Sequence, residues 1–433
     1  MNPESPQSIS LPYGDEIVSA ALSDGRSLGT LDIPPIDPLA KPEQAIREAL
    51  SRPIGLDRSI FNIVQPDERV VILVSDSFRQ TRADLVLPVL MDGLKRAGTN
   101  PQDISILFST GTHRAPTEAE QREILSEEVY DLMLGRIYVH DAHDAENHVS
   151  LGTTSRGTPV EINRRVHEAD RVIVTGSVVL HYFGGYGGGR KSVVPGVASA
   201  RTIAHNHAMN LHPTDDRLDP KVRIGALAGN PVAEDMLEAT KLTQVDAIVN
   251  TVLNREGDIA GVFAGDLEKA HEAACAFARK LFEIPLQEKA DIVIAASPFT
   301  KNFVQTHKAL FNAFLAAKPE GRVVLVAPCA EGLGDEQFTQ WLKLGGRAEI
   351  IAALRCRSEI NGQTALSTRE KAPRTVMVTE LSNDDVALLG ARKAHSLQEA
   401  VDAVLHDLSH AGLPSPTYLL MPSAAYTVPL IAP

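Results

Sequence analysis

The sequence is poor in cysteine and in basic residues. Its 433 residues include three cysteines, Cys275, Cys329 and Cys356, which lie far apart and form no CxxC pair. Neither a disulfide framework nor a zinc-knuckle site is therefore expected. The formal net charge of −13 argues against general nucleic-acid binding, which needs clustered lysine and arginine. A small anionic substrate stays compatible, because a few local cations can outweigh the overall charge.

Long apolar runs are also missing. No run approaches the ~20 residues that a membrane helix needs, and the first ten residues show no basic segment followed by an apolar one. We therefore expect a cytoplasmic protein with no membrane partner. Hydrophobic residues make up 43% and charged residues 22%, as in ordinary folded proteins. A chain of this length exceeds what one hydrophobic core supports, so two domains are expected.

Short β-branched runs alternate with amphipathic segments along the chain, which predicts parallel sheets covered by helices. In the first series, strands are predicted at Arg69–Ser75, Asp103–Ser109, Arg171–Val178 and Asp246–Val252, and helices at Asp84–Ala97, Val232–Leu242 and Asp266–Leu281. In the second series, strands are predicted at Asp291–Ala296, Arg322–Ala327, Thr375–Thr379 and Thr417–Met421, and helices at Asn302–Ala317 and Leu397–Leu408.

The predicted fold class is therefore α/β, with two α/β domains, mostly parallel sheets and an active site in the cleft between the domains. Residues 1–285 are predicted to form an N-terminal domain that carries a cofactor. Residues 286–415 are predicted to form a C-terminal domain. Residues 416–433 could return to the N-terminal domain.

The most unusual segment begins at His181 and reads HYFGGYGGGRKSVVPG, between a predicted strand and a predicted helix at 198–210. Five of the six residues from Gly184 to Gly189 are glycine, which permits positive φ and close approach of a ligand. Backbone amides there, together with the N-terminus of the following helix, could bind a phosphate. The segment lacks the complete P-loop spacing and the acidic residue of a dinucleotide fingerprint. A surface turn without a ligand is the alternative.

Lys191 and two histidines complete this segment. Lys191 is a candidate for covalent attachment or anion binding, although a solvated lysine is the ordinary interpretation. His205 and His207 lie two positions apart on a predicted helix, so they face different sides and do not readily ligate one metal together. Either could be a single metal ligand or an ordinary structural histidine.

Polar residues follow three predicted strands. Asp76 and Arg79 come after the first strand, His113 after the second, and His181 after the third. Ligands of an open parallel sheet bind at the carboxyl ends of its strands, so these groups are expected to converge. Two histidines suit proton transfer, and an arginine suits a carboxylate.

A second set of polar residues lies in the predicted C-terminal domain. Gln305 and Lys308 are three positions apart on a predicted helix, so they share a face. That face could close over a substrate. Arg114 and Arg190 also lie beside the proposed site, which leaves room for a substrate with a second carboxylate, such as malate.

Together these residues resemble the nickel-pincer lactate racemase family. The resemblance covers nearly the whole chain, and its specific part is the spacing of one histidine, one lysine and a second histidine. The matching motifs are DxxR at 76–79, GTHR around His113, the array of His181, Lys191 and His207, and QxxK at 305–308.

The resemblance implies a cofactor, the nickel complex of pyridinium-3,5-bisthiocarboxylic acid mononucleotide. This nickel-pincer nucleotide binds nickel through sulfur, carbon and sulfur, and it would be attached to Lys191 through a thioamide. His207 would complete the nickel coordination, and such donors suit nickel. Asp76 would support the cofactor site. The glycines implied in binding the cofactor phosphate are Gly184, Gly187, Gly188 and Gly189.

The resemblance also implies an activity, which is racemisation or epimerisation of a 2-hydroxy acid. His113 and His181 would act as general base and acid while a hydride moves from substrate C2 to the pincer carbon and returns to either face. Arg79 and Lys308 would hold the substrate carboxylate and nearby oxygens, and Gln305 would support them. Enzymes that produce the cofactor would be needed as partners for activation.

Two positions depart from the family pattern and leave the substrate open among lactate, malate and other 2-hydroxy acids. Gln80 stands where a proline is common, and Val304 where an aromatic residue is common. Two other functions stay open as well. One is a nicotinamide-dependent 2-hydroxy-acid oxidoreductase, and the other is a cofactor carrier or sensor without catalysis. The sequence does not determine the oligomeric state.

Overall fold

A computed structural model describes residues 7–22 and 24–431 and divides them into two compact units. Residues 35–280 form the first, here called the central unit. The described residues within 1–34 and 281–433 form the second, here called the terminal unit. In the described part of the chain, no helix has the length and apolarity required to cross a membrane.

The elements alternate as the sequence predicted. The strands, in chain order, are β1 (Gln7–Tyr13), β2 (Glu16–Leu22), β3 (Arg26–Thr30), β4 (Val70–Ser75), β5 (Ile104–Ser109), β6 (Ile137–Val139), β7 (His148–Thr153), β8 (Pro159–Asn163), β9 (Arg171–Ser177), β10 (Leu180–His181), β11 (Gly185–Tyr186), β12 (Ala247–Leu253), β13 (Ile259–Gly265), β14 (Glu283–Leu286), β15 (Ala290–Ala296), β16 (Ala317–Val326), β17 (Thr375–Val378), β18 (Arg392–Ala394), β19 (Thr417–Met421) and β20 (Val428–Ile431).

The helices occupy the segments between the strands. In chain order they are α1 (Pro42–Ser51), α2 (Ala83–Arg96), α3 (Glu118–Leu125), α4 (Glu127–Leu132), α5 (Arg164–His167), α6 (Ala200–Ala208), α7 (Pro231–Lys241), α8 (Lys269–Phe282), α9 (Phe303–Ala316), α10 (Glu336–Lys343), α11 (Arg347–Cys356), α12 (Ile360–Lys371), α13 (Asn383–Leu389) and α14 (Leu397–His410).

The central unit contains a six-stranded sheet in the order β13-β12-β9-β4-β5-β6. Every neighbouring pair is parallel except β12 and β13, which are antiparallel. All six residues of β4 are buried, as expected of a strand covered on both faces. Helix α2 contributes buried Leu87 and Leu90 to the same hydrophobic cluster as Ile72 and Ile106 of the sheet. Truncating either leucine to alanine would cost about 2–5 kcal/mol.

The terminal unit contains a second six-stranded sheet, in the order β18-β17-β16-β15-β19-β3, with every neighbouring pair parallel. The α/β class and the mostly parallel sheets predicted from the sequence are confirmed. β1 and β2 form an antiparallel hairpin. Its buried residues alternate with exposed ones, and Leu11 and Leu22 pack in the cluster that includes Ile292 and Val324.

The division of the chain differs from the predicted domains at both ends. The N-terminal segment belongs with the C-terminal residues, because β3 pairs with β19 and the amide of Ala21 donates to Gln398 Oε1 at 2.8 Å. The C-terminal segment stays in the same unit, because β19 lies between β15 and β3, and β20 pairs with β14. The two pairs β3 with β19 and β14 with β20 join segments that are distant along the chain, so they leave no local signal in the sequence.

Candidate active site

The site of the central unit is built on three neighbouring strands, β9, β4 and β5. Asp76 follows β4, the turn of Gly111 and His113 follows β5, and His181 follows β9. The Gly111 amide donates to Gly196 O at 2.9 Å, and the Gly196 amide donates to Lys191 O at 3.0 Å. The turn that carries His113 is thus joined to the segment that carries Lys191.

Asp76 and His113 form a hydrogen-bonded pair, with 2.7 Å between Asp76 Oδ2 and His113 Nδ1. The Asp76 side chain is 2% exposed, and that of His113 is 34% exposed. Asp76 Oδ1 also accepts the Phe78 amide at 3.1 Å. Because a carboxylate only accepts hydrogen bonds, Nδ1 of His113 carries a proton and a neutral His113 has Nε2 as an acceptor. The resemblance implied that Asp76 supports the cofactor site, which stays a prediction, and the structure shows its pairing with His113.

Arg79 lies in the same turn, and its side chain is exposed. Its amide donates to Asp76 O at 3.1 Å, and its Nη1 donates to Phe78 O at 3.1 Å. The turn is held against the next strand, since the Ser177 hydroxyl donates to Gln80 O at 2.8 Å. Arg79 is thus placed four residues beyond the end of β4, in the turn at the carboxyl edge of the sheet.

Phe183 is the centre of an aromatic cluster that the sequence analysis missed. Its buried ring lies 4.4 Å from the ring of His181 and 4.8 Å from that of His207, measured between centroids. The Nζ atom of Lys191 lies 4.8 Å from the same ring. The three residues predicted for proton transfer, covalent attachment and metal ligation therefore meet around one phenylalanine. Its position directly after His181 and Tyr182 was the only sequence signal.

Lys191 and His181 meet again at Gly184. A Cβ atom built on Gly184 would lie 3.6 Å from Lys191 Nζ and 3.7 Å from His181 Nδ1. The amides of Phe183 and Gly184 donate to His181 Nδ1 at 3.4 and 3.3 Å. A neutral His181 therefore carries its proton on Nε2, the opposite tautomer to that of His113.

His207 is buried on α6, and His205 is exposed on the same helix, as their spacing predicted. Burial lowers the pKa of His207 to about 3, and the charge of Lys191 adds to the shift. The ring is therefore neutral, which is the form that ligates a metal. Asn206 anchors the helix, since its amide nitrogen donates to Asp235 Oδ2 at 2.9 Å and to Val232 O at 3.0 Å.

A metal at His207 would need donors from outside the protein. Among residues 7–22 and 24–431, no group of three histidine, cysteine, aspartate or glutamate side chains is arranged to hold a metal ion. The buried, neutral imidazole of His207 next to the amine of Lys191 fits a metal whose other ligands come with a bound organic group. This agrees with the donor set that the family resemblance implies.

Several glycines of the loop are required by packing within the protein. A Cβ on Gly185 would lie 2.1 Å from Ala226 O, and one on Gly188 would lie 2.2 Å from Asn250 Oδ1. The Gly187 amide donates to Val179 O at 2.8 Å, and the Gly189 amide donates to Asn250 Oδ1 at 2.9 Å. These two amides are therefore engaged within the chain, which weakens their predicted role in binding phosphate.

The N-terminus of α6 also differs from the prediction. The helix begins at Ala200, and its N-cap Ser199 accepts the Thr202 amide at 3.1 Å. The Ser199 hydroxyl donates to the Glu161 carboxylate at 2.6 Å. An acidic side chain lies at this helix end and also pairs with Arg201, which gives no support to a phosphate there. Phosphate binding at this helix end stays a prediction.

Arg190 and His271 lie together behind the glycine loop. The buried Arg190 guanidinium donates to Ala233 O at 3.1 Å and to His271 Nδ1 at 3.2 Å. His271 Nε2 in turn lies 2.9 Å from Gly187 O. Burial lowers the pKa of His271 to about 4, so the neutral ring accepts from Arg190 and donates to the loop. Arg190 is thus a packing residue of the loop, contrary to the expectation that it lies beside a substrate.

The chain is similar to known proteins over most of its length. Residues 13–218 match the lactate racemase N-terminal domain. Lactate racemase from Thermoanaerobacterium thermosaccharolyticum is 32% identical over 340 residues, which are 77% of this chain and 78% of the relative. Lactate racemase from Lactiplantibacillus plantarum is 31% identical over 335 residues, which are 76% and 77% of the two chains.

The chain belongs to the lactate racemase family.

Solved structures agree with this membership. The lactate racemase apoprotein from T. thermosaccharolyticum matches this family member with a TM-score of 0.85 and 27% identity, over 98% of this chain and 100% of the other. A protein from Thermotoga maritima matches with a TM-score of 0.66 and 18% identity, over 92% and 99% of the two chains, which indicates a shared fold. The resemblance drawn from the sequence motifs is therefore confirmed.

In this lactate racemase family member, Gln305 and Lys308 lie on α9 of the terminal unit. Gln305 Oε1 accepts a hydrogen bond from the Lys301 amide at 3.2 Å, and Lys308 is exposed one turn later. Both residues share one face of the helix, as their spacing predicted. Their contact with a substrate stays a prediction.

Proposed function

We propose that this protein racemises or epimerises a 2-hydroxy acid, with a nickel-pincer nucleotide attached to Lys191. The observation that carries the proposal is the convergence of His181, Lys191 and His207 on the ring of Phe183. Family membership supports a racemase, because the two curated relatives are lactate racemases. The hydrogen-bond partners of the two catalytic histidines support the proton chemistry.

The histidine tautomers support complementary roles. Nδ1 of His113 donates to Asp76, so Nε2 can accept a proton from the substrate hydroxyl as C2 is oxidised to a carbonyl. Asp76 stabilises the imidazolium that results. Nδ1 of His181 accepts two backbone amides, so Nε2 donates toward the substrate oxygen. In this state His113 is the general base and His181 the proton-donating partner.

The residues present also fit the proposed cofactor. Lys191 would supply the covalent attachment, and His207 would supply a neutral imidazole ligand to nickel. When bound, the group would supply a carbon that accepts the C2 hydride and returns it to either face. Buried Phe183 gives the lysine and the two histidines a common apolar neighbour, which would limit the access of water to the bound group.

The substrate would be bound through its carboxylate. Arg79 is exposed at the sheet edge, and its guanidinium can bind a carboxylate through two hydrogen bonds. Lys308 and Gln305 of the terminal unit are proposed to complete the binding of the substrate oxygens. We propose lactate or another 2-hydroxy acid as the substrate, with cofactor-producing enzymes as the partners needed for activation.

The proposal is tested by loading the protein with cofactor in cells that express the cofactor-producing enzymes. Loaded protein should carry about one nickel and a mass adduct, and should racemise an enantiopure 2-hydroxy acid without added NAD. Protein made without those enzymes should be inactive. Lys191→Ala should remove both the adduct and the activity, whereas the surface control Lys95→Ala should keep both.

Three outcomes would contradict the proposal. Active protein without an adduct would exclude a covalent cofactor. Turnover that requires added NAD and no nickel would favour the nicotinamide-dependent alternative. Full activity of both His113→Ala and His181→Ala would exclude their assignment as proton-transfer residues.

A further inference from the structure

Phe78 is an apolar side chain held partly exposed at the carboxyl edge of the central sheet. It is 40% exposed, and its ring centroid lies 4.8 Å from that of His113. Its amide donates to Asp76 Oδ1 and its carbonyl accepts Arg79 Nη1, each at 3.1 Å. Phe78 therefore contacts the proposed general base through its ring and the proposed carboxylate-binding arginine through its backbone carbonyl.

The positive charge that lies over this ring is already paired. The guanidinium carbon of Arg114 lies 5.3 Å from the centroid of the Phe78 ring. Arg114 donates to both carboxylate oxygens of Glu120, at 2.6 and 2.7 Å. The hydrogen bond from Arg114 is the main cause that lowers the pKa of Glu120, and the backbone of Thr117 contributes as well. Glu120 therefore stays ionised and occupies the fork of Arg114.

We propose that Phe78 determines the substrate class of this site, which is a 2-hydroxy monocarboxylic acid whose C2 substituent is apolar and longer than methyl. The inference rests on the proposed function, since it takes the substrate carboxylate to bind Arg79 and the C2 hydroxyl to face His113. The remaining substituent of C2 is then proposed to lie against the ring of Phe78, because that ring packs on His113 and the Phe78 carbonyl binds the Arg79 side chain.

A second carboxylate would be disfavoured at this position. This carboxylate would lose its hydration against an aromatic face. The neighbouring Arg114 is already paired with Glu120, and the negative charge of Glu120 would repel the substrate carboxylate. This reasoning disfavours malate, for which the sequence had left room at Arg114. An apolar substituent instead gains contact area with the ring. Each methylene that is buried should raise kcat/KM by about fourfold.

The experiment uses cofactor-loaded protein and enantiopure lactate, 2-hydroxybutyrate, 2-hydroxy-4-methylpentanoate, 3-phenyllactate and malate, followed by chiral chromatography. We expect kcat/KM to rise along the apolar series and malate to lie at least about tenfold below 2-hydroxybutyrate. Calorimetric titration of the same protein with each acid should give the same order of affinities.

Two variants test the assignment through ratios, which do not depend on the loaded fraction. Phe78→Ala should reduce the ratio of kcat/KM for 3-phenyllactate to that for lactate by about tenfold or more. Leu134→Ala, an exposed apolar residue of the same unit, is the matched control and should leave the ratio unchanged. Glu120→Gln should free Arg114 and raise the ratio for malate to lactate.

The outcomes separate the two proposals. If no 2-hydroxy acid is racemised by nickel-loaded protein, the proposed function fails and the substrate class fails with it. If lactate is racemised but malate equals or exceeds 2-hydroxybutyrate, or if Phe78→Ala leaves the ratios unchanged, the inference about Phe78 is overturned while the racemase stands.

Discussion

Replacing Asp76 by asparagine should inactivate the proposed base without removing a contact. Oδ1 of residue 76 accepts the Phe78 amide at 3.1 Å, and this bond would keep the asparagine oxygen in place. The asparagine NH₂ would then take the place of Asp76 Oδ2, which lies 2.7 Å from His113 Nδ1 in the wild-type protein. An NH₂ donates, so Nδ1 would become the acceptor and Nε2 would carry the proton. His113 could then no longer accept the substrate proton.

The magnitude follows from two contributions. A hydrogen bond to a charged group is worth about 1.5–3 kcal/mol, or roughly 10- to 150-fold. General base catalysis contributes about 10²- to 10⁴-fold. We therefore expect Asp76→Asn to lower kcat by about 10³-fold, or ~4 kcal/mol. KM should change little, because Arg79 is untouched.

The assay compares initial racemisation rates of loaded proteins with equal nickel content, measured by chiral chromatography. The matched control is Asp92→Asn, because Asp92 binds Arg47 and Arg96 on the protein surface and touches none of the proposed catalytic groups. Its kcat should stay within about twofold of the wild-type value. A kcat for Asp76→Asn within tenfold of wild type would refute the assigned tautomer of His113.

Three further predictions concern the support of the site. Gly189→Ala should lower the free energy of unfolding in urea by about 2–4 kcal/mol, because φ is +50° and the new Cβ would lie 2.6 Å from His271 Cδ2. The matched control Gly229→Ala, at φ +75° with open space, should cost only about 1 kcal/mol. Burial lowers the pKa of His271 to about 4 in the folded chain, so between pH 6.5 and pH 4 the unfolded chain binds more protons than the folded chain. Lowering the pH through this range should therefore destabilise the wild type by up to about 3 kcal/mol more than it destabilises His271→Gln. Asn206→Ala should cost about 1–3 kcal/mol, because it removes a donor to buried Asp235, and should lower the nickel content of loaded protein.

Each of these predictions has a contradicting result. Equal losses in the two glycine variants would mean that the loop moves away from His271 at little cost. Parallel stability curves for wild type and His271→Gln between pH 4 and 6.5 would mean that the folded ring titrates normally. An unchanged nickel content in Asn206→Ala would mean that this side chain does not position His207.

Much of the fold could be predicted because buried parallel strands are continuous apolar runs. The strand predicted at Arg69–Ser75 is β4 at Val70–Ser75, and the helix predicted at Asp84–Ala97 is α2 at Ala83–Arg96. The N-terminal hairpin and β3 were not predicted. Their partners lie in the last third of the chain, so local periodicity carried no information about which unit they join.

The candidate site divides in a similar way. Strand-end residues could be expected to converge, and the Asp76–His113 pair confirms this for β4 and β5. The partners of charged groups could not be predicted. Arg190 binds His271, 81 residues away, and Arg114 binds Glu120, so both arginines that were expected beside the proposed site are hydrogen-bonded within the protein.

The sequence by itself determined the family and the α/β class and indicated the residues proposed to carry the chemistry, because the spacing of His181, Lys191 and His207 is a local property of one segment. Only the tertiary structure decided how those residues work together. It placed Phe183 among them, gave His113 and His181 opposite hydrogen-bond partners at Nδ1, a carboxylate for the first and backbone amides for the second, and packed the glycine loop against His271. These contacts depend on burial and hydrogen-bond geometry between distant segments, which no local pattern contains.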